Sequence, residues 1–409
     1  MFLARFKGLL IAALLVAAPV KGSAQVAVGA SGILLGTVAA PGVDDRTLAE
    51  GYMTQPMLMA TYSTRGGMFV ADLTANFEGI TLERGELNAG VHGEGYVDRR
   101  HPHTYLHEAV VTWTLGKRST RFSASAGKGF VPFGTDDPMS RPFVKYPVNH
   151  HLAQLLERAL ISGAVATGPL VVEVAAFNGD EPDSPSDMPN WDRFGDSWAA
   201  RLTARSGRGI ELQASMARVE SPEQPSGGGL DHRMSSVSAR FESGGRYALA
   251  EFARAKQGEG ASTSFTFDSF LAEGSVNVKR VTLSGRAERT ERPEEERALN
   301  LFRTPRPHSD LSIIGQTRWD VLSASASTTF ERRNVKAAPF IEISTQHPRS
   351  ITSPSVFDPG TFYGASRLWS FSFGVRLGAG MTHNRMGRYG VAATPKMQMP
   401  MPGMEHMDE

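Results

Sequence analysis

The chain has 409 residues, 42 of them glycine and none cysteine, with 43 Lys and Arg against 42 Asp and Glu. A near-neutral balance argues against a nucleic-acid binder, and without cysteine an exported chain must be held by a large core or a closed hydrogen-bond ladder. No stretch after the first 24 residues offers the ~20 apolar residues of a membrane-spanning helix; the best candidate, 159–177, is broken by Gly163, Gly168, Pro169 and Glu173.

Residues 1–24 carry Arg5 and Lys7, then an apolar run over 8–20, then Lys21 and the small residues Gly22, Ser23 and Ala24. A charged start, a short apolar run and a small-residue end predict a secretory signal peptide cleaved after Ala24. Its removal leaves 40 basic residues against 42 acidic ones. Residues 25–54, rich in Gly and Ala with Asp44 and Asp45, read as a periplasmic lead-in to a folded body over 55–377.

Within the body a period of two recurs. Phe69, Ala71, Leu73, Ala75 and Phe77 oppose Asp72, Thr74 and Asn76; Ala109, Val111, Trp113 and Leu115 oppose Glu108, Thr112 and Thr114. Leu170, Val172, Val174 and Ala176 share a face opposite Glu173, and Trp198, Ala200, Leu202 and Ala204 oppose Arg201, Thr203 and Arg205. Ile210, Leu212, Ala214 and Met216 oppose Glu211, Gln213 and Ser215. The cleanest repeat comes last, where Trp369, Phe371, Phe373, Val375 and Leu377 alternate with Ser370, Ser372, Gly374 and Arg376. Such segments are strands with one apolar and one wet face. The stretch 247–254 alternates poorly.

Connectors alternate between tight turns, as at 116–117, 206–209 and 243–245, and long charged or Pro-rich loops, as at 98–104, 135–158, 179–196, 221–231, 291–309 and 346–364. Short turns at one end and long loops at the other predict an all-β fold: a transmembrane antiparallel barrel with periplasmic turns and extracellular loops. A strand pair with its connectors takes about 40 to 45 residues, which gives about 16 strands. Pro132 and Gly134 end one strand, and Leu152, Leu155, Leu156 and Ala159 at helical spacing predict a short helix over 149–160. This loop, with Arg141, Lys145, His150, His151 and Glu157, is a candidate constriction loop that either folds into the lumen or stays outside it.

Gly127-Lys-Gly-Phe-Val-Pro-Phe-Gly134, Arg141-Pro142 and Ala176-Phe-Asn-Gly179 resemble the corresponding run in porins of the phosphate-selective O/P type. The resemblance covers about 115–202 and implies a 16-stranded outer-membrane barrel forming a solute channel, with large porins often trimeric. It also implies a lean toward anions. The family's lysine ladder has no counterpart here, which puts phosphate specificity in doubt.

Parity places Arg121, Arg201, Arg205, Arg280, Arg286 and Arg376 on pore-lining faces against Asp72, Glu78, Glu108, Glu173, Glu211 and Glu288. Both signs on one wall either create a transverse field that orients solutes or pair to stiffen the barrel. The region 378–409 lacks any periodicity and reads as a disordered tail. Its Met397, Met399, Met401, Met404, His406 and Met407 offer soft ligands for Cu(I) or Ag(I), so a metal-handling protein acting through the tail is the alternative to a channel. His101, His103, His150, His151 and Glu157 have only loose metal-like spacing, and neither a closed zinc pattern nor a P-loop or nucleophile elbow occurs. The sequence therefore predicts a porin-like channel for small hydrophilic solutes in contact with outer-membrane lipid, with no enzymatic activity and no cofactor.

Overall fold

A computed structural model describes residues 24–40, 47–64, 66–81, 103–117, 119–135, 140–148, 150–182, 184–295, 313–352, 357–380 and 385–393. Its strands are β1 (Gln25–Ala40), β2 (Leu48–Ser63), β3 (Phe69–Asn76), β4 (Leu106–Lys117), β5 (Thr120–Gly129), β6 (Arg158–Thr167), β7 (Leu170–Phe177), β8 (Ser197–Arg205) and β9 (Ile210–Val219). They continue as β10 (Asp231–Ser243), β11 (Arg246–Gly258), β12 (Phe265–Val278), β13 (Val281–Glu295), β14 (Ile313–Thr328), β15 (Phe330–Arg332), β16 (Val335–Ser350) and β17 (Leu368–Gly380). Each pairs antiparallel with its neighbours, and β1 pairs with β17 from Gly29↔Gly380 to Ala40↔Trp369, so the sheet closes on itself. The short β15 continues β14 past Thr329 along β16, and the ring therefore has 16 staves. Closure leaves no strand edge unpaired.

The alternation in the sequence is what the ring requires. Along β7 exposed and buried residues alternate without a break, with Leu170, Val172 and Val174 outside and Glu173 inside. Along β9 Ile210, Leu212 and Met216 face out while Glu211, Gln213 and Ser215 face in. Trp198 and Trp369 lie outward near the long-loop end, and Phe69, Trp113, Phe122 and Phe241 near the short-turn end, with Tyr62, Phe69 and Trp113 edge to face in a row. An exposed apolar band between aromatic rows is the outer surface a barrel presents to acyl chains.

Two expected boundaries move. Residues 25–54, read as a lead-in, are β1 and the first part of β2. Ile33 and Leu35 face inward and Leu34 outward, so both faces of β1 are apolar and the period of two is hidden. The region 378–409, read as a disordered tail, begins with the end of β17, and 385–393 is ordered inside the ring. The helix expected over 149–160 shrinks to one turn, His150–Ala153, because Arg158 already opens β6. Residues 247–254 are the centre of β11, whose inner face carries Leu249 and Ala253.

Leu249 and Ala253 are apolar on the inner side because the interior of this barrel is packed. Val131, Phe133, Leu152 and Leu155 of the β5–β6 loop form one cluster with Leu160, Phe177, Val219, Met234, Ala253 and Phe267 of the wall. The loop thus lies within the ring and settles the open choice in favour of the lumen.

Candidate functional site

The site is the lumen together with two segments that enter it from opposite ends. The β5–β6 loop enters from the long-loop end. Gly134, which turns it inward, has φ +68°, and a Cβ there would stand 1.5 Å from the Ala153 carbonyl oxygen, so only glycine fits. Its amide donates to Ser215 Oγ at 3.0 Å, and the Thr135 hydroxyl donates to Glu251.

Beyond this point the loop reaches the far wall, formed by β11–β17. Arg141 lies 3.5 Å from Glu251 and 3.9 Å from Glu273, and Arg286 pairs with Glu273 at 2.7 Å. The Arg286 guanidinium also sits 4.3 Å from the centre of the Phe143 ring and donates to the Lys145 carbonyl at 2.8 Å. The amides of Val144 and Val148 donate to Glu342 at 3.0 Å and Glu288 at 2.7 Å. Arg376 donates to the carbonyls of Arg141 and Phe143 at 3.4 and 3.3 Å. Lys145 Nζ is buried here with no hydrogen-bond partner among the described residues, and burial pushes its pKa down to about 8 against the pull of Glu288 and Glu342.

Residues 385–393 enter from the short-turn end. Arg385 donates to Glu211 at 2.6 and 3.0 Å, and Arg388 donates to Glu211 at 3.2 Å, to Gln213 at 2.6 Å and to Thr203 at 3.1 Å. The Tyr389 hydroxyl donates to Glu108 at 2.7 Å and accepts from the Phe130 amide at 3.0 Å, so the two inserts touch. Burial and the Glu108 charge push the Tyr389 pKa well above its usual value. At Gly390, φ is +54° and a Cβ would lie 2.4 Å from the Ser123 side chain. The segment then turns back, and the Ala392 carbonyl accepts from Arg205 at 2.5 Å.

Of the predicted pore-lining residues, Arg201 and Glu173 face each other at 2.7 Å deep in the wall, and Arg201 also donates to the Gly387 carbonyl at 2.8 Å. Arg205 and Glu211 pair at 3.0 Å, and Glu108, Arg286 and Arg376 face inward. Arg121 is exposed near the short-turn rim. Arg280 is a correction: it lies in the turn between β12 and β13, not on the wall, because β12 ends at Val278. Among the loop residues, Arg141, Lys145, His150 and Glu157 are buried in the ring, while the side chain of His151 lies outside the described residues. So do Met397, Met399, Met401, Met404, His406 and Met407, together with residues 1–23.

Sequence reasoning missed Glu251, Glu273 and Glu342, for which strand parity was the available signal, and Arg385, Arg388 and Tyr389, for which there was none. It also missed His107. Thr74 pairs with Glu108 but Ala75 with Leu106, so His107 is an extra residue at a bulge, and both His107 and Glu108 point inward.

No family model matches the chain, and no curated protein matches it. Solved structures do. The anion-selective porin from Comamonas acidovorans matches at a TM-score of 0.55 with 9% identity, covering 88% of this chain and 100% of that one. OmpT, an outer membrane protein of Vibrio cholerae, matches in a trimer form at 0.50 with 8% identity over 88% and 100%, and with its loop L8 deleted at 0.50 with 9% identity over 87% and 99%. The likeness lies in the fold, a closed 16-stave antiparallel barrel of the porin kind.

Proposed function

We propose that the chain is an outer-membrane channel through which small hydrophilic solutes diffuse passively, with a preference for anions, and that its two inserts set the aperture. The observation that carries this reading is the division of the wall, which exposes an apolar band on the outside, with charged pairs such as Arg254–Asp268 and Arg289–Asp320 lying in one part of β11–β16, and is lined with Arg–Glu pairs inside. A sheet of this kind satisfies its backbone within the ring and can sit in hydrocarbon, while the charged lumen suits ions and polar solutes. Anion preference draws on the sequence resemblance, on the selectivity in the name of the Comamonas porin, and on Arg376 and Lys145, whose cationic ends meet carbonyls or no hydrogen-bond partner. A homotrimer belongs to the same proposal, supported by the trimer form of the Vibrio protein.

The test is conductance in a planar bilayer. Discrete steps and a reversal potential of anionic sign in a salt gradient are expected. Folded, heat-modifiable protein that gives no steps, even without residues 381–409, would exclude the channel, and a cationic reversal potential would exclude the selectivity alone.

A further inference from the structure

Where the β5–β6 loop rejoins the wall, three potential metal ligands converge. Glu157 Oε1 lies 2.9 Å from His103 Nδ1 and 2.7 Å from His107 Nδ1, and one ligand atom from each of the three residues lies within 4.8 Å of the others. Glu157 and His107 are 3% and 0% exposed. The other carboxylate oxygen, Oε2, is fixed by the Thr104 amide at 3.0 Å and the Thr104 hydroxyl at 2.5 Å, with Lys128 Nζ at 3.7 Å. Glu157 itself has φ +60°, a left-handed conformation that is unfavourable for a non-glycine residue, so the surrounding contacts hold its carboxyl in place.

We propose that His103, His107 and Glu157 bind one divalent transition-metal ion, of the zinc class, at this joint between the loop and β4. Two imidazoles and one carboxylate, with a fourth position left for water, form a donor set that suits such an ion.

The protonation pattern without an ion is awkward. For both Nδ1 atoms to donate to Glu157 Oε1, each neutral ring must leave its Nε2 unprotonated. His107 Nε2 is then buried against the Phe130 ring with no partner among the described residues. His103 Nε2 lies 3.5 Å from the Tyr146 hydroxyl and 4.0 Å from Glu78 Oε2, a buried oxygen with no hydrogen-bond partner among the described residues. A cation on the Nδ1 lone pairs moves the protons to Nε2, so His103 can donate to Glu78 in the carboxylate–histidine–metal arrangement. Glu78 is preset for this, because its Oε1 accepts from the Thr54 hydroxyl at 2.5 Å and the Gln55 amide at 2.7 Å.

The test is calorimetric titration with Zn²⁺ of chelator-stripped protein in detergent, using both the full chain and a chain ending at Ala393, which lacks the Met- and His-rich residues that follow. Heat-modifiable migration establishes the fold of every variant. The shortened chain is expected to bind one ion, with X-ray absorption showing two imidazoles in a shell of nitrogen and oxygen. His107→Gln should weaken binding at least ~100-fold and Glu78→Gln ~10-fold, the scale of ligand and outer-shell losses. Folded shortened chain that takes up no Zn²⁺ at 100-fold excess overturns the proposal, as does unchanged affinity in folded His107→Gln.

Discussion

The two lumen inserts are held by different forces. The β5–β6 loop is anchored by apolar burial. Val131, Phe133, Leu152 and Leu155 pack on the β6–β12 side, Val144 on Ile33, Leu35 and Phe340, and Val148 on Trp319, Val321 and Leu368. The segment 385–393 sets Val391 and Ala392 against Ala166 and Val171 and buries Met386, but its longest reaches are polar, from Arg385, Arg388 and Tyr389 to Glu211, Gln213 and Glu108. Apolar packing of this extent makes the loop part of the core. An insert docked through charge is separable, since the carboxylates it meets keep other partners in the wall: Glu211 retains Arg205, and Glu173 retains Arg201.

The largest effect is expected in the loop. Phe133→Ala should cost about 3–5 kcal/mol, the usual range for emptying a buried aromatic site, read as a fall in the denaturant midpoint of folded protein. The same loss from the C-terminal insert is not expected. Ending the chain after Gly380 should leave the midpoint close to that of the full chain and raise single-channel conductance several-fold. If conductance stays unchanged, the segment does not limit the aperture.

A finer test is Glu211→Gln. It removes the carboxylate shared by Arg205, Arg385 and Arg388, and leaving buried guanidinium groups without their partner costs about 3–5 kcal/mol. Most of that loss should appear as undocking of the insert, because Arg385 and Arg388 lie on it. The expected signature is conductance like that of the shortened chain with only part of the fall in midpoint. A fall as large as that of Phe133→Ala, with conductance unaltered, would mean that the wall and not the insert depends on Glu211.

How much of this was legible in the sequence follows from which surface set the pattern. Residues facing outward meet one uniform environment, so Trp369, Phe371 and Phe373, or Leu170, Val172 and Val174, announced their strands and the ring. Inward residues meet whatever fills the lumen. On β1 and β11 that filling is apolar, so Ile33, Leu35, Leu249 and Ala253 erase the alternation. The paired charges of the site, Arg201 with Glu173 and Arg205 with Glu211, were found by parity alone. His107 was hidden by a bulge, which parity cannot register. Arg385 and Arg388 sit in a segment with no period at all, and their role depends on carboxylates about 170 to 215 positions earlier in the chain, contacts that local patterns do not encode.

The smallest effect separates charge from packing within the loop itself. Lys145 is surrounded by Glu288 and Glu342, with Arg286 opposing its charge, and its pKa is about 8 in the folded protein against the ordinary 10.5. A lysine whose folded pKa is lowered costs stability wherever it must be charged in the folded state. That cost is complete below pH 8, where both states hold the proton, and is relieved between pH 8 and 10.5, where only the unfolded chain holds it. Stability attributable to this residue therefore rises with pH across that window, by at most about 1.4 kcal/mol per unit. Lys145→Met should raise the midpoint at pH 7 and remove this part of the pH dependence between pH 8 and 10. The reversal potential of the wild type should drift away from anion preference over the same range, as the charge beside Glu288 and Glu342 is lost. If Lys145→Met lowers the midpoint at pH 7, the ammonium contributes more through its attraction to those two carboxylates than it loses by burial, and the β5–β6 loop depends on charge as well as on its apolar contacts.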